Sequence, residues 1–520
     1  MIIIPKNMKR IKLFVGSLFA LLLLHSCYKD KGNYDYTNLD EVVIDTSVAG
    51  IQAEYSVYRF DTLSISPRIY LNGVEVTSEA QVEGKLDFTW TIFQATTGGT
   101  VYSRDTLSKH MHLEAEITKP AGIWIVHLAV KEVNTKVETY TRFTVNVSEA
   151  LSDGWMVLYE REGTTDVGVW VDERIKAGVV TPRLFLDLVR NSNGAALEGK
   201  PMAMVHSIGP LSSGDVLIAS EKDMIGVDRS SFQTTFGFEN LFWSAPAQRS
   251  IRMLTGTPVR KEYVVNNNKV HTVNFASSGV WRTNFFGAPM NGEYGELENW
   301  NPNYIGGVFD AVVYDKTNRR FLYVGTNGTS LVRFPTQTGT PQFEPDDVGL
   351  DMKAHDWGLS NYEYLIMSNA TNTYLLMANF MAAANTVGMR KVDMTNSPDV
   401  QNITTMASAF AGQYVLYGAN SSVYLFRYNS GQNAEALWTA PAGEKVTCVR
   451  FQKFFHAQFQ TLFLPNPNRV VYIATWNEAT QTGKVYSYFI DPSNGSIDLS
   501  SERVAEGFGK VKDMSYKWNL

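Results

Sequence analysis

Cysteine is almost absent from this chain: its 520 residues contain two, Cys27 and Cys448. No disulfide framework and no cysteine-based metal site can be built from such a pair once either is otherwise engaged, so stability has to come from packed apolar surface. Histidine is scarce as well, eight in all, and no His-Glu-Xaa-Xaa-His occurs. A Gly-Xaa-Ser-Xaa-Gly elbow and a phosphate-binding glycine loop are also missing, which removes the familiar hydrolase and nucleotide sites. Basic clusters are lacking and the net charge is −6, a poor match to nucleic acid or to an anionic membrane surface. There is one long apolar run, residues 13–24, and its 12 residues fall short of the roughly 20 that a helix needs to cross a bilayer. A composition of 44% hydrophobic and 19% charged residues is that of a globular chain.

What is present begins with that run. Lys6, Lys9, Arg10 and Lys12 precede it, and Leu24-His25-Ser26-Cys27 follows, the layout of a secretory signal over residues 1–26. Leu24 and Ser26 ahead of Cys27 resemble the lipobox of bacterial lipoproteins, which implies that Cys27 is lipidated and becomes the first residue. Several acyl chains on one residue anchor a protein stably where a single chain does not. Loss of the signal takes the charge to about −10. Residues 27–40 (CYKDKGNYDYTNLD) are polar and aperiodic and read as a tether. Cys448 lies in an apolar strand pattern and reads as a small buried hydrophobe.

Residues 41–148 carry short alternating strands, at 88–93, 112–117, 123–130 and 140–147, at the spacing of an immunoglobulin-type β-sandwich. The stretch GIWIVHLAV (122–130) and the closing TVNV (144–147) resemble a PKD-type domain, although WTIF (90–93) stands where that family has Trp-Asp-Phe-Gly-Asp-Gly. Trp90 and Trp124 fall on apolar strands and read as core.

Residues 149–520 repeat weakly. Stretches 309–316, 446–453 and 511–518 align without gaps, and strand–turn–strand units recur about every 50 residues. Equivalent starts at Gly154, Asp215, Tyr263, Phe321, Tyr374, Tyr414 and Val470 predict a seven-bladed β-propeller, and 511–518, which no unit follows, is predicted to close the ring on the first blade. The expected fold is therefore all-β, a PKD/immunoglobulin-like sandwich followed by a propeller.

Candidate chemistry is thin, and neither a catalytic residue, a metal nor a cofactor is expected. His110 and His112 lack a third ligand. The carboxylates of residues 344–351 read as a solvated loop, and 491–498 as a hairpin turn. Aromatic-rich loops are the better signal: FFGAPMNGEYGELENWNPNY (285–304) with Tyr294, Trp300 and Tyr304, together with Trp243 and Trp357. Such rings either present flat faces to a sugar, peptide or protein partner, or pack a long loop onto its own blade.

The order of parts, a lipobox, the tether, a PKD-like sandwich and a strand-rich remainder, is similar to the PKD-like lipoproteins of Bacteroidetes-type cells. That resemblance implies a surface-facing, lipid-anchored outer-membrane protein working beside SusC/SusD-type transporter proteins and other accessory lipoproteins, helping to capture an oligopeptide or oligosaccharide. A polysaccharide lyase or hydrolase and a purely structural transporter subunit are the alternatives.

Overall fold

Two patterns of burial divide the chain. In the computed structural model, which describes residues 40–517 apart from 60, 96–102, 149–150, 152, 180, 210–211, 257–260, 275–284, 304, 307 and 454–463, early strands bury every second residue and later ones bury nearly all. The signal segment 1–26, Cys27, the tether up to residue 39 and Tyr304 lie outside the described residues. The fold is nearly all-β, with one short α-helix, Leu188–Asn193, and a few 3-10 turns among those residues. No helix among them is long and apolar enough to cross a membrane.

Strand Leu86–Gln94 alternates buried and open side chains, as a sheet with one covered face requires. It belongs to a five-stranded sheet ordered Glu54–Tyr58, Glu138–Ser148, Gly122–Glu132, Leu86–Gln94, Asp105–Ser108. A three-stranded and a two-stranded sheet complete the sandwich around one core that includes Trp90, Phe88, Val126 and Phe143. Trp90 is fully buried and donates its indole N–H to the His110 carbonyl at 3.0 Å. Trp124 is half-buried and bonds the Pro120 carbonyl at 3.0 Å.

From Gly154 onward the described residues form seven further sheets in chain order. Their middle strands, such as Glu363–Ser368 (EYLIMS), are buried on both faces, because each blade is packed between two others. Buried side chains fall into seven clusters, each shared by two neighbouring blades. An open row of seven blades would have six such interfaces, so the seventh, between the first and last blades, shows a closed ring. There Trp155 stacks on Tyr472, with centroids 4.2 Å apart.

Closure is made by the last strand. Lys510–Lys517 pairs antiparallel with Gly154–Arg161, with Trp155 opposite Tyr516 and Val157 opposite Met514, and takes the innermost place in the first blade. The approach is tight enough that a Cβ on Gly509 would run into the Glu160 carbonyl.

The repeat read from the sequence slips by one strand in two blades. Gly154, Asp215, Tyr263 and Val470 lie on the second strands of their blades, and Tyr414 directly precedes one, whereas Phe321 and Tyr374 lie on third strands. In the fourth blade the strand Phe309–Asp315 is second, not innermost. Residues 297–303 run antiparallel along it, with a bridge from Leu297 to Asp315 and the Glu298 N–H on the Tyr314 carbonyl at 2.9 Å.

The sandwich is fastened to the first blade. Ser56 donates its N–H to the Gly178 carbonyl at 3.3 Å, Asp61 pairs with Arg183, and the Tyr58 ring lies in the core between the first two blades.

Removing residues 510–520 uncovers Gly154–Arg161 and deletes the buried Val511, Met514 and Tyr516, a loss of roughly 5 kcal/mol from these side chains alone. The truncated protein should unfold at clearly lower denaturant than the parent, with an equal midpoint contradicting closure by this strand.

Candidate functional site: the propeller channel

The inner strands of the blades surround a channel holding a cavity of about 450 Å3. Its wall takes residues from Lys510–Lys517, Pro201–Gly209, Ile251–Gly256, Asp351–Trp357, Ile403–Ser408 and Glu444–Phe451, and from residues 298–303 in place of a regular strand in the fourth blade. The Asn299 amide reaches the Met202 carbonyl at 2.9 Å, and the Asn301 amide holds the Val312 carbonyl at 3.1 Å.

Side-chain bonds stitch the inner strands together. Arg450 of the seventh blade pairs with Asp513 of the closing strand at 2.8 Å and donates to the Met406 carbonyl of the sixth at 3.1 Å. Lys453 pairs with Asp356 of the fifth blade and also donates to the Trp357 and Ser408 carbonyls, while Asp356 accepts the Ser408 N–H at 2.7 Å. Burial works against the charge on both cations. It wins at Lys453, whose pKa is lowered although Asp356 opposes the shift. At Arg450 the carboxylate of Asp513 prevails and the pKa is raised. His355, in the same wall, is pushed from 6.5 to about 4 by burial and then by Arg450, so its ring is neutral at physiological pH.

Two half-open thioethers, Met202 and Met352 of the second and fifth blades, also face the wall, whereas Met204, Met253, Met406 and Met514 are 7% exposed or less and lie in the cores between blades. An unbranched, polarizable side chain adapts its shape to what it contacts.

The aromatic residues singled out in the sequence part company here. Trp357 lines the channel, 6% exposed, with the Lys453 ammonium 4.9 Å from its ring centre. Trp300 touches the cavity, but its indole is 2% exposed and packs edge-on against Phe321 in the core between the fourth and fifth blades. Tyr294 is half-buried against the core of the third and fourth blades. Trp243 is 70% exposed beside Phe285 and is not part of the channel wall. The polar wall residues Glu298, Asn299, Asn301 and Asn303 were not picked out. Their signal is the alternation of Asn299, Trp300, Asn301, Pro302 and Asn303, in which Trp300 and Pro302 are buried and the asparagines are half-open.

Elsewhere Asp346 pairs with Arg333 and Asp351 with Arg319, and Ile490 faces Ile497 across a tight turn capped by Asp491. Among the described residues no three His, Cys, Asp or Glu gather as a metal site. Cys448 is 1% exposed, with burial raising its thiol to about 11.

Residues 27–201 match the PKD-like family, a span that takes in the tether, the sandwich and the outer strands of the first blade. No curated protein matches the chain. Among solved structures it is similar to a quinonprotein alcohol dehydrogenase-like protein from Bacteroides thetaiotaomicron, at 12% identity over 92% of this chain and 99% of that one with a TM-score of 0.42. It is also similar to a protein of unknown function from Bacteroides caccae, at 12% identity over 70% and 99% with a TM-score of 0.30. A third is the WD40 domain of SCAP from fission yeast, at 9% identity over 59% and 74% with a TM-score of 0.35.

The lowered pKa of His355 has a sign that can be checked. Between pH 6.5 and about 4 the unfolded chain takes up a proton there that the folded protein refuses, so stability falls on acidification through that window. Between about pH 7 and about pH 4.5, His355→Gln should lose about 2–3 kcal/mol less unfolding free energy than the parent. Equal losses would contradict an imidazole held neutral in the folded protein.

Proposed function

We propose that the chain is a non-catalytic, lipid-anchored protein of the outer-membrane surface that serves a SusC/SusD-type importer by holding a short oligopeptide or oligosaccharide in its propeller channel. The observation that carries this reading is the cavity of about 450 Å3, within the range of sites that enclose small ligands. Its wall mixes apolar thioethers with amides and with charges committed to one another, Asp356 to Lys453 and Asp513 to Arg450. Groups paired in this way hold shape and orientation, which suits binding better than proton transfer. Lipid on Cys27 would supply the attachment. Placement beside a transporter raises the effective concentration of captured ligand, so weak affinity is enough.

Thr404 is exposed on the channel wall, and Thr404→Trp should plug the cavity. Equilibrium dialysis against a mixture of short peptides and short oligosaccharides should show retention by the parent reduced about tenfold in the variant, a loss of about 1.4 kcal/mol, with an unchanged thermal midpoint. Equal retention by both would overturn the channel as the site. Gentle detergent extraction of native membranes, followed by capture through a tag after Leu520, should recover a SusC/SusD pair, and recovery of the protein alone would overturn the transporter link.

A further inference from the structure

Two hollows meet at one mouth of the channel. Bonds between inner strands set their relative heights: the Thr405 hydroxyl accepts the Val449 N–H at 3.0 Å, Asp356 accepts the Ser408 N–H at 2.7 Å, and Arg450 donates to Asp513 at 2.9 Å. Lys353, Thr404, Thr447 and Lys512, each near the start of its inner strand, therefore stand at the same end. They come from the fifth, sixth, seventh and first blades, which follow one another around the ring. All four line the cavity, and Thr404 also lines a second, more open hollow of about 350 Å3 between the sixth and seventh blades. The Asn420 carbonyl, which accepts the Val446 N–H at 2.8 Å, joins those two blades there.

Positive charge is in excess at this mouth. Lys353 and Lys512 on the channel wall and Lys445 in the second hollow are exposed, and none is in an ion pair among the described residues. Glu298 is the carboxylate of the wall at this end, beside Asn299, whose amide reaches the Met202 carbonyl. Deeper in, cations and carboxylates take each other up: Asp513 holds Arg450, and Asp356 and Glu363 both act on Lys453. Unpaired charge of one sign at the entrance to an enclosed cleft draws ligands of the other.

The uncharged lining points to the rest of the ligand. The exposed residues of the second hollow are Gln401, Asn402, Thr404, Asn420 and Lys445, whereas its apolar members, Ile403 and Val446, are 6% and 4% exposed. An apolar peptide side chain finds no open surface of its own kind there. In the cavity wall the Thr447 hydroxyl and the side-chain oxygen of Asn301 are buried without a hydrogen-bond partner among the described residues. Amides and hydroxyls both donate and accept, which matches the closely set hydroxyls of a sugar.

We infer that this mouth binds an acidic oligosaccharide, a short chain bearing uronate carboxylates, with the acid groups toward Lys353, Lys445 and Lys512 and the hydroxyls on the surrounding amides and threonines. One end of the chain lies in the channel, and the remainder crosses Thr404 into the hollow between the sixth and seventh blades. This rests on the channel being the ligand site.

The test is calorimetric titration of the mature protein with trigalacturonate, its methyl ester, triglutamate, maltotriose and trialanine. Trigalacturonate should bind, and the ester, which keeps the sugar and loses the charge, should bind about tenfold more weakly. Lys445→Gln and Lys512→Gln, changes at exposed positions, should each weaken trigalacturonate about fivefold while leaving the ester and the thermal midpoint where they were. An ester that binds as well as the acid overturns the inference. Triglutamate that binds as tightly as trigalacturonate overturns it too and assigns the mouth to acidic peptides. Maltotriose or trialanine binding that Thr404→Trp abolishes, with no response to trigalacturonate, overturns it but leaves the channel as a ligand site. Lack of binding by every probe overturns both readings.

Discussion

Everything in the propeller depends on the pairing of its last strand with its first. Lys510–Lys517 supplies the innermost strand of the first blade, so the ring cannot close until this strand is present. The same strand places Asp513 against Arg450 of the seventh blade and buries Met514 and Tyr516 beside Trp155 and Tyr472. Closure and channel wall are thus made by one element. A ring leaves no sheet edge at its ends to recruit another chain. It also fixes the spacing of the inner strands, which a binding cavity between blades requires.

A second constraint acts at the base of that blade. Tyr58 of the sandwich is buried in the core between the first and second blades, flanked by Lys176 and Arg183. Lys517 ends the closing strand nearby, its ammonium on the Leu151 carbonyl, and burial lowers its pKa to about 7. The junction between domains and the end of the ring are therefore one packed unit. The match of residues 27–201 to the PKD-like family runs past the sandwich into the first blade.

The sequence revealed the ring more readily than the site. Alternation in 511–518 marked the closing strand, and the approximate period marked seven blades, because both depend on apolar runs long enough to see. The phase slipped in the fourth and fifth blades for a physical reason. The inner segment of the fourth, residues 297–303, is rich in Asn and Pro and held partly by side-chain amides, so it lacks a strand's usual composition. Trp300 was ambiguous because ring content alone cannot separate a binding face from a core. The channel was invisible for a different reason: Lys353, Glu363 and Lys512 sit singly on separate strands, and only closure brings them to one cavity.

Function belongs in the enclosed channel and not on the exposed ring of Trp243 beside Phe285. A crystal structure of the mature protein grown with a pool of short peptides and short oligosaccharides tests that most directly. Continuous ligand density in the channel cavity is the predicted result. Density confined to the Trp243 surface, with only water in the channel, would contradict it.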